Sequence, residues 1–350
     1  MSSAVSAGGG PGAGIDVAKL FAGHSDLAER MRRFDWSATA LGPPETWPQS
    51  LKTAVRIMLA SSQPIWIGWG SDLVYLYNDA YKAIIGGKDA WALGQPTAEV
   101  WREIWDDISP MLSQAMYGDE GTYVEAQLLI MERHGYPEET YYTFSYSPIP
   151  DDDGNAGGII CANTDATRRV IGERQISLLR ELAARTADAR TWQQACALSV
   201  EALSANARDL PFAMIYVGEA GSDTLSLAGA SGIAGDHAAA PALLELQSTA
   251  PWPVGEALRT QQAVVVSGLA MMFRDALPSG AWSLAPEEAV ILPIGAAGET
   301  GRTGVLIVGL SPVRLFDDDY QGFLRLVAGQ IGAAIANAQA YEEERKRAEV

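Results

Sequence analysis

The chain has 350 residues, and its 43 Asp and Glu residues outnumber its 25 Lys and Arg residues, which gives a formal net charge of −18. A charge of this sign repels phosphate backbones and anionic lipid surfaces, so neither nucleic acids nor membranes are expected as partners. Hydrophobic residues make up 48% of the chain, enough for packed cores. The length corresponds to two globular domains.

Cysteine usage and the N-terminal segment bear on the location of the protein. Cys161 and Cys196 form no CxxC pair and are too few for a disulfide framework, which favours a cytoplasmic protein. Residues 1–33 lack the basic and apolar regions of a signal peptide. They are expected to form a disordered, Gly-rich leader and a short helix. No apolar run approaches the roughly 18 residues that a membrane span requires.

Residues 34–166 have the pattern of an α+β domain with an N-terminal extension. Aromatic and β-branched runs at 64–70 and 73–78 predict a hairpin. The amphipathic spacing of residues 97–116 predicts one long helix. Further strands are predicted at 122–133, 139–150 and 157–165. Two strands, then helices, then three antiparallel strands make one domain of ordinary size.

A second antiparallel α+β domain is predicted over residues 208–340, after a long linker helix over 167–207. Its strands are expected at 211–220, 224–232, 263–269, 288–296 and 303–311, with a long loop between 232 and 261. Short apolar runs bounded by Gly and polar residues are typical of such strands.

A C-terminal helix resembling a coiled-coil strand is predicted over residues 317–350, overlapping the end of this domain. Its apolar residues follow a 4-3-4-3 spacing, which is typical of helices that pack side by side. The simplest partner is the same helix of a second chain, so we expect a homodimer. The residues of the predicted dimer seam are Leu324, Val327, Ile331, Ala334, Ala338 and Tyr341.

Several long motifs resemble a known group of proteins. The stretches LGPPETWPQSL, PIWIGWGSDLVYLYNDAY, EVWREIWDDISPML and YPEETYYTFSYSPIPDDDG are similar to the N-terminal PAS domain of bacterial sensor histidine kinases, many of them hybrid kinases. Residues 208–340 look like the GAF domain that follows the PAS domain in that family. The resemblance implies a PAS domain over residues 34–166 and a kinase domain downstream of this chain.

A short motif ends the predicted PAS domain. Asp165-Ala166-Thr167-Arg168 is similar to the D-x-T motif with which signalling PAS domains join their last strand to the exit helix. Asp and Thr side chains both accept hydrogen bonds from free amides at a helix start. The resemblance implies signal coupling by Asp165, Thr167 and Arg168, and an ordinary helix cap is the alternative.

The sequence contains no recognisable catalytic site. None of its three histidines, His24, His134 and His237, lies in an acceptor-like helix, and it has no GxxxxGK[ST] loop. Cys161 and Cys196 are predicted to be core residues rather than attachment sites for flavin or bilin. Scattered histidines and cysteines do not form a metal site. No catalytic residue, metal or cofactor is therefore predicted.

Aromatic residues cluster around the first hairpin and along a later strand. Alternation places Tyr142, Phe144 and Tyr146 on one face of that strand. The candidate pocket residues are Trp66, Tyr75, Tyr77, Asn78, Tyr142, Phe144 and Tyr146. They either fill the core or bind an unknown small apolar ligand, and the core is the more usual place for such residues.

The leading hypothesis is a cytoplasmic sensory module that passes a signal from PAS and GAF domains through dimeric helices to a downstream kinase domain. The alternative is a stand-alone PAS-GAF regulatory protein that binds a ligand or partner and has no kinase output. An enzyme with an unrecognised site is a third hypothesis, disfavoured because no nucleophile–base pair is visible. The reading frame beyond Val350 would separate the first two.

Overall fold

A computed structural model describes residues 17–118, 120–295 and 301–348. The predicted Gly-rich leader lies mostly outside these residues. The chain divides into two compact units, one ending at Val170 and the other beginning at Ile171. Both contain helices and one antiparallel sheet, so the predicted α+β class is confirmed.

The first unit has a five-stranded sheet in the order β2-β1-β5-β4-β3. The strands are β1 (Ile65–Trp69), β2 (Val74–Tyr77), β3 (Thr122–Met131), β4 (Glu138–Pro150) and β5 (Ala156–Asp165). The helices are α1 (Val17–Leu20), α2 (Asp26–Arg33), α3 (Gln49–Ala60), α4 (Lys82–Ile85), α5 (Thr97–Val100) and α6 (Trp105–Tyr117). Short 3₁₀ turns lie at Trp36–Ala38, Pro44–Thr46, Asp79–Tyr81, Gly86–Ala90 and Arg102–Ile104.

The segment predicted as one helix over residues 97–116 is broken at Trp101. Its backbone leaves the helical region there, with φ −117° and ψ 36°, which separates α5 from α6. The break buries the Trp101 ring to 2% exposure. It also leaves the Val100 carbonyl free to accept a hydrogen bond from Lys88 Nζ at 2.6 Å. Periodicity alone does not reveal such a break, because the apolar face continues across it.

The N-terminal segment belongs to the core of the first unit. Phe21, Trp36 and Trp47 are buried against one another, and the two indole rings meet edge to face with centroids 5.0 Å apart. The N–H groups of both indoles have hydrogen-bond acceptors. Trp36 Nε1 donates to the Met31 carbonyl at 2.8 Å, and Trp47 Nε1 donates to the Gly42 carbonyl at 2.9 Å. Helices α1, α2 and α3 therefore cover part of the sheet core, and α1 and α2 do not form a separate leader.

The second unit has a six-stranded sheet in the order β8-β7-β6-β11-β10-β9. The strands are β6 (Ala213–Gly218), β7 (Thr224–Ser231), β8 (Leu243–Glu245), β9 (Val264–Ser267), β10 (Glu288–Ile294) and β11 (Thr303–Gly309). Helix α7 (Thr167–Thr186) begins in the last residues of the first unit and continues in the second. The other helices of the second unit are α8 (Trp192–Leu203), α9 (Val254–Thr260), α10 (Leu269–Met272) and α11 (Asp318–Ala348). A 3₁₀ turn lies at Ser204–Asn206. Strand β8 was not predicted and falls in the expected loop.

The region predicted as a linker helix, residues 167–207, contains α7 and α8 with a break between them. Thr191 caps α8, since its side chain accepts a hydrogen bond from the Gln194 amide at 3.2 Å. Helix α8 packs on β7 and α11, and its Ala195 and Cys196 side chains are fully buried. Helix α8 is therefore part of the second unit's core.

The two faces of the second sheet carry separate cores. One face packs against α7, α8 and α11. The other is covered by apolar side chains that include the aromatic residues Tyr216, Trp252 and Phe273. Trp252 Nε1 donates to the Ala239 carbonyl at 2.8 Å, and its ring lies 5.5 Å from that of Phe273. No helix of the described residues is long and apolar enough to span a bilayer.

The apolar face of α11 is buried inside its own unit. Of the predicted dimer-seam residues, five are at most 7% exposed and contribute to the core with α8 and the sheet, whereas Tyr341 is 41% exposed. The five are Leu324, Val327, Ile331, Ala334 and Ala338. Their assignment to a seam between two chains is corrected by this burial. A 4-3 spacing shows that a helix face is covered, but not which surface covers it.

The burial of one face of α11 predicts that two substitutions on this helix differ in their effect on the free energy of unfolding. Ile331→Glu places an unpaired carboxylate at a site with 0% exposure and should destabilise the second unit by about 3 kcal/mol or more. Asn337→Glu, at an exposed position of the same helix, should change stability by no more than about 0.5 kcal/mol. Urea denaturation followed by circular dichroism measures both. Equal stability of the two variants would mean that Ile331 is not a core residue.

Candidate functional site

The junction between β5 and α7 binds the backbone of β4. Asp165 ends β5, and its Oδ1 accepts a hydrogen bond from the Thr167 amide at 2.8 Å. Thr167 begins α7, and its Oγ1 accepts from the Tyr141 amide at 2.9 Å. The Ala166 amide donates to the Tyr141 carbonyl at 2.8 Å. The first turn of α7 is thereby attached to both polar groups of one residue in β4.

Tyr142 extends this junction into the core. Its hydroxyl lies 3.4 Å from Asp165 Oδ2 and accepts a hydrogen bond from Arg133 Nη1 at 3.0 Å. Arg133 is itself held by Glu138, whose Oε2 lies 3.2 Å from Arg133 Nε. Burial raises the pKa of Tyr142 above its ordinary value, so the hydroxyl stays protonated and can donate to Asp165 at neutral pH. Arg168, the third predicted coupling residue, lies on the exposed side of the first turn of α7.

A small cavity lies between the first sheet and the helices that cover it. Four of the predicted pocket residues line it, and they are Trp66, Tyr142, Phe144 and Tyr146. The other lining residues were not singled out from the sequence, and they are Tyr81, Ile84, Trp101, Ile104, Ile108, Leu129, Met131 and Asn163. The volume is about 20 Å³, which accommodates roughly one water molecule. The aromatic residues at this place therefore form a packed core.

Tyr75 and Tyr77 are buried but do not line this cavity, and the Tyr75 ring packs behind Trp66 of the cavity wall with ring centres 4.9 Å apart. They belong to β2, the edge strand on the opposite side of the sheet from β3. The Tyr75 hydroxyl accepts a hydrogen bond from Trp101 Nε1 at 3.0 Å. The Tyr77 hydroxyl donates to Asp89 Oδ1 at 2.8 Å, and Arg30 binds the same oxygen at 2.8 Å. Their assignment to the pocket is corrected, and both hydroxyls have structural partners.

Asn78 is also structural and not a pocket residue. Its Oδ1 accepts from the amides of Ile65 at 3.1 Å and Tyr81 at 3.2 Å, so it caps the turn that follows β2. Its Nδ2 donates to the carbonyls of Met58 at 3.0 Å and Gln63 at 2.7 Å. A fully bonded amide at 2% exposure leaves no group for a ligand.

A polar cleft of about 540 Å³ lies beside the β3–β4 turn. Lys88 Nζ contacts Glu103 Oε1 at 2.6 Å and lies 4.3 Å from the centre of the Trp101 ring. Burial lowers the pKa of Lys88 while the pairing with Glu103 opposes this change. His134 Nδ1 lies 2.7 Å from Glu138 Oε1. Lys88 is therefore paired with Glu103, and among the described residues no group of side chains is arranged to hold a metal ion.

The two cysteines are buried thiols. Burial raises the pKa of Cys161 well above its usual range and that of Cys196 to about 12. Because the thiolate is the reactive form, neither side chain is a nucleophile at neutral pH.

The junction predicts a specific effect of removing one hydroxyl. Thr167→Val keeps the shape of the side chain but removes the acceptor for the Tyr141 amide, which should cost about 1–2 kcal/mol of stability and speed exchange of that amide. Thr164→Val, at an exposed position of β5 three residues earlier, is the matched control and should change neither. Chemical denaturation and hydrogen exchange measure these effects. If both variants behave alike, the hydroxyl of Thr167 does not hold α7 to β4.

Comparison with domain families assigns both units. Residues 59–171 match the model of the PAS fold, and residues 189–336 match that of the GAF domain. Comparison with curated proteins finds no match.

Solved structures that resemble the chain are distant. The GAF domain from an Acinetobacter phosphoenolpyruvate-protein phosphotransferase is 18% identical, with a TM-score of 0.35, over 47% of this chain and 95% of that chain. A methyl-accepting chemotaxis protein fragment is 22% identical, with a TM-score of 0.35, over 45% and 97%. The photosensory core module of Stigmatella aurantiaca phytochrome is 12% identical, with a TM-score of 0.37, over 82% and 60%.

The two domain matches agree with the motifs of the first half of the sequence and with the strand pattern of the second. The chain therefore contains a PAS fold followed by a GAF domain, two domains of the sensory type.

Proposed function

We propose that this chain is the sensory input module of a two-component histidine kinase, located in the cytoplasm and acting on a kinase domain downstream of it. The observation that carries the proposal is the attachment of α7 to the PAS sheet through Asp165 and Thr167. When the strand that holds such a helix is displaced, the start of the helix is displaced with it. The C-terminal helix α11, 31 residues long, is the proposed output.

The PAS core supplies a path from a sensed change to α7. Tyr142 contributes its ring to the cavity wall and its hydroxyl to Asp165. A ligand or partner that favours one packing of the core over another would displace this tyrosine and so alter the junction. Only a difference in affinity for the two packings can shift their populations. Because the cavity is small, a ligand would have to move the covering helices in order to enter.

Dimerisation remains part of the proposal, on a different face of α11 from that predicted. The outward face also carries residues at 4-3 spacing, and these are Gly322, Leu326, Gly329, Ala333, Ala336 and Ala340. Leu326 is 61% exposed, and small residues on either side allow a second helix to approach closely. We place the contact with a second copy of the chain on this face.

Substitution of Leu326 tests the dimer. Leu326→Glu should convert a dimeric chain to monomers in light scattering, because two carboxylates would face each other across the contact. Met271→Glu, at a residue that is 91% exposed on α10, is the control and should leave the dimer intact. A monomeric wild-type chain, or a dimer unaffected by Leu326→Glu, would count against this contact.

The kinase output is tested with labelled ATP. The 350-residue chain should remain unlabelled, whereas a polypeptide extended along the reading frame beyond Val350 should become phosphorylated on histidine. If the extended polypeptide has no kinase activity, the alternative of a PAS-GAF regulatory protein that acts through a bound partner is favoured.

A further inference from the structure

A fully buried carboxylate lies at the start of the GAF sheet. Asp209 follows the 3₁₀ turn Ser204–Asn206 and precedes β6, and its exposure is 0%. Removing an ionised carboxylate from water is unfavourable unless charged and hydrogen-bonding partners replace the solvent. The two arginines that bind Asp209 come from distant parts of the sequence.

Arg174, from α7, forms a bidentate pair with Asp209. Its Nε lies 3.0 Å from Oδ2 and its Nη2 lies 2.6 Å from Oδ1. Asn206 Nδ2 donates to Oδ2 at 2.8 Å. The Arg174 side chain is only 16% exposed, so solvent screens this pair much less than a surface pair.

Arg314, from the segment just before α11, binds the same carboxylate. Its Nη1 lies 2.9 Å from Asp209 Oδ1, and its side chain is 11% exposed. The guanidinium also lies 4.4 Å from the centre of the Tyr320 ring in the first turn of α11. Oδ1 of Asp209 is therefore shared between a guanidinium that belongs to α7 and one that leads into α11.

Tyr320 adds a second attachment of α11 to the same residue. Its hydroxyl donates to the Asp209 carbonyl and accepts from the Ser311 amide at 3.1 Å. Burial raises the pKa of this hydroxyl above its ordinary value, so it stays protonated and available as a donor. Both the side chain and the backbone of Asp209 thus hold the beginning of α11.

We propose that Asp209 is a latch that joins the helix entering the GAF domain, α7, to the start of the helix leaving it, α11. In this role a displacement of α7 moves Arg174 relative to Asp209. The change at Asp209 then alters its contacts with Arg314 and Tyr320, which hold the start of α11. The inference deepens the proposed function, because it treats α7 as the path by which a change in the PAS domain reaches the output helix.

The geometry makes the latch sensitive to small movements of α7. A bidentate pair requires two donor–acceptor distances to remain near 2.7–3.2 Å at once. Sliding of α7 by one residue moves Arg174 by about 1.5 Å, and rotation by one residue turns it through about 100°. Either movement would break both contacts and leave Arg314 as the charged partner of a buried carboxylate. The pair Arg185–Glu181 on the same helix is 45% and 41% exposed and carries no such constraint.

Hydrogen exchange of the full chain tests the latch. Arg174→Gln should accelerate exchange in α7 and, at least about fivefold, in the segment 311–324, because a charge-assisted pair is lost at the shared carboxylate. Arg180→Gln, at an exposed position of the same helix, is the matched control and should alter neither segment. Faster exchange confined to α7 in Arg174→Gln would overturn the proposal.

A double-substitution cycle provides a second measurement. Arg174→Gln and Arg314→Gln share one acceptor, so their effects on the midpoint of thermal unfolding should not add. Additive shifts would show that the two arginines act independently and would contradict the latch. If either variant fails to fold, Asp209→Asn, which keeps the side-chain shape, should give the same joint loosening of α7 and of segment 311–324.

These measurements require no kinase and no second chain. Absence of kinase activity would therefore not contradict the latch. Failure of the latch experiments would likewise not change the result expected with labelled ATP.

Discussion

The attachment of α7 to the backbone of Tyr141 is the constraint from which the functional interpretation follows. The Tyr141 amide donates to Thr167 Oγ1 and the Tyr141 carbonyl accepts from the Ala166 amide, so both backbone groups of one strand residue hold the start of α7. Asp165 and Thr167 are short side chains, so they tolerate little variation in this geometry. A helix is stiff along its length, so in the proposed mechanism a displacement of the first turn of α7 reaches Arg174 and, through Asp209, α11.

Much of the fold could be predicted from local pattern. The hairpin of β1 and β2, the three following strands and most strands of the GAF sheet were found because period-2 runs are bounded there by turn residues. The partner of α11 could not be predicted. Its 4-3 spacing required a neighbouring surface, and α8 with the sheet supplies that surface within one chain. Which surface covers a helix depends on contacts far apart in sequence.

The candidate site was predicted unevenly for the same reason. The D-x-T motif was recognisable because its residues are adjacent. The Tyr142 hydroxyl, by contrast, accepts a hydrogen bond from Arg133, which lies in the turn after β3. Nothing local distinguishes Asp209 from an ordinary loop carboxylate, since its arginine partners are 35 and 105 residues away. Asn78 was misassigned because a buried polar residue beside aromatic rings resembles a ligand contact until its five hydrogen bonds are seen.

The covering of the PAS core by α1–α3 has a consequence for where this domain begins. The PAS match begins at residue 59, yet Phe21, Trp36 and Trp47 are buried in the same core as the sheet. A fusion protein that contained only the matched region would expose the apolar face that α1–α3 cover, and it would tend to aggregate. The folding unit of this domain therefore includes residues 20–58 in addition to the matched region.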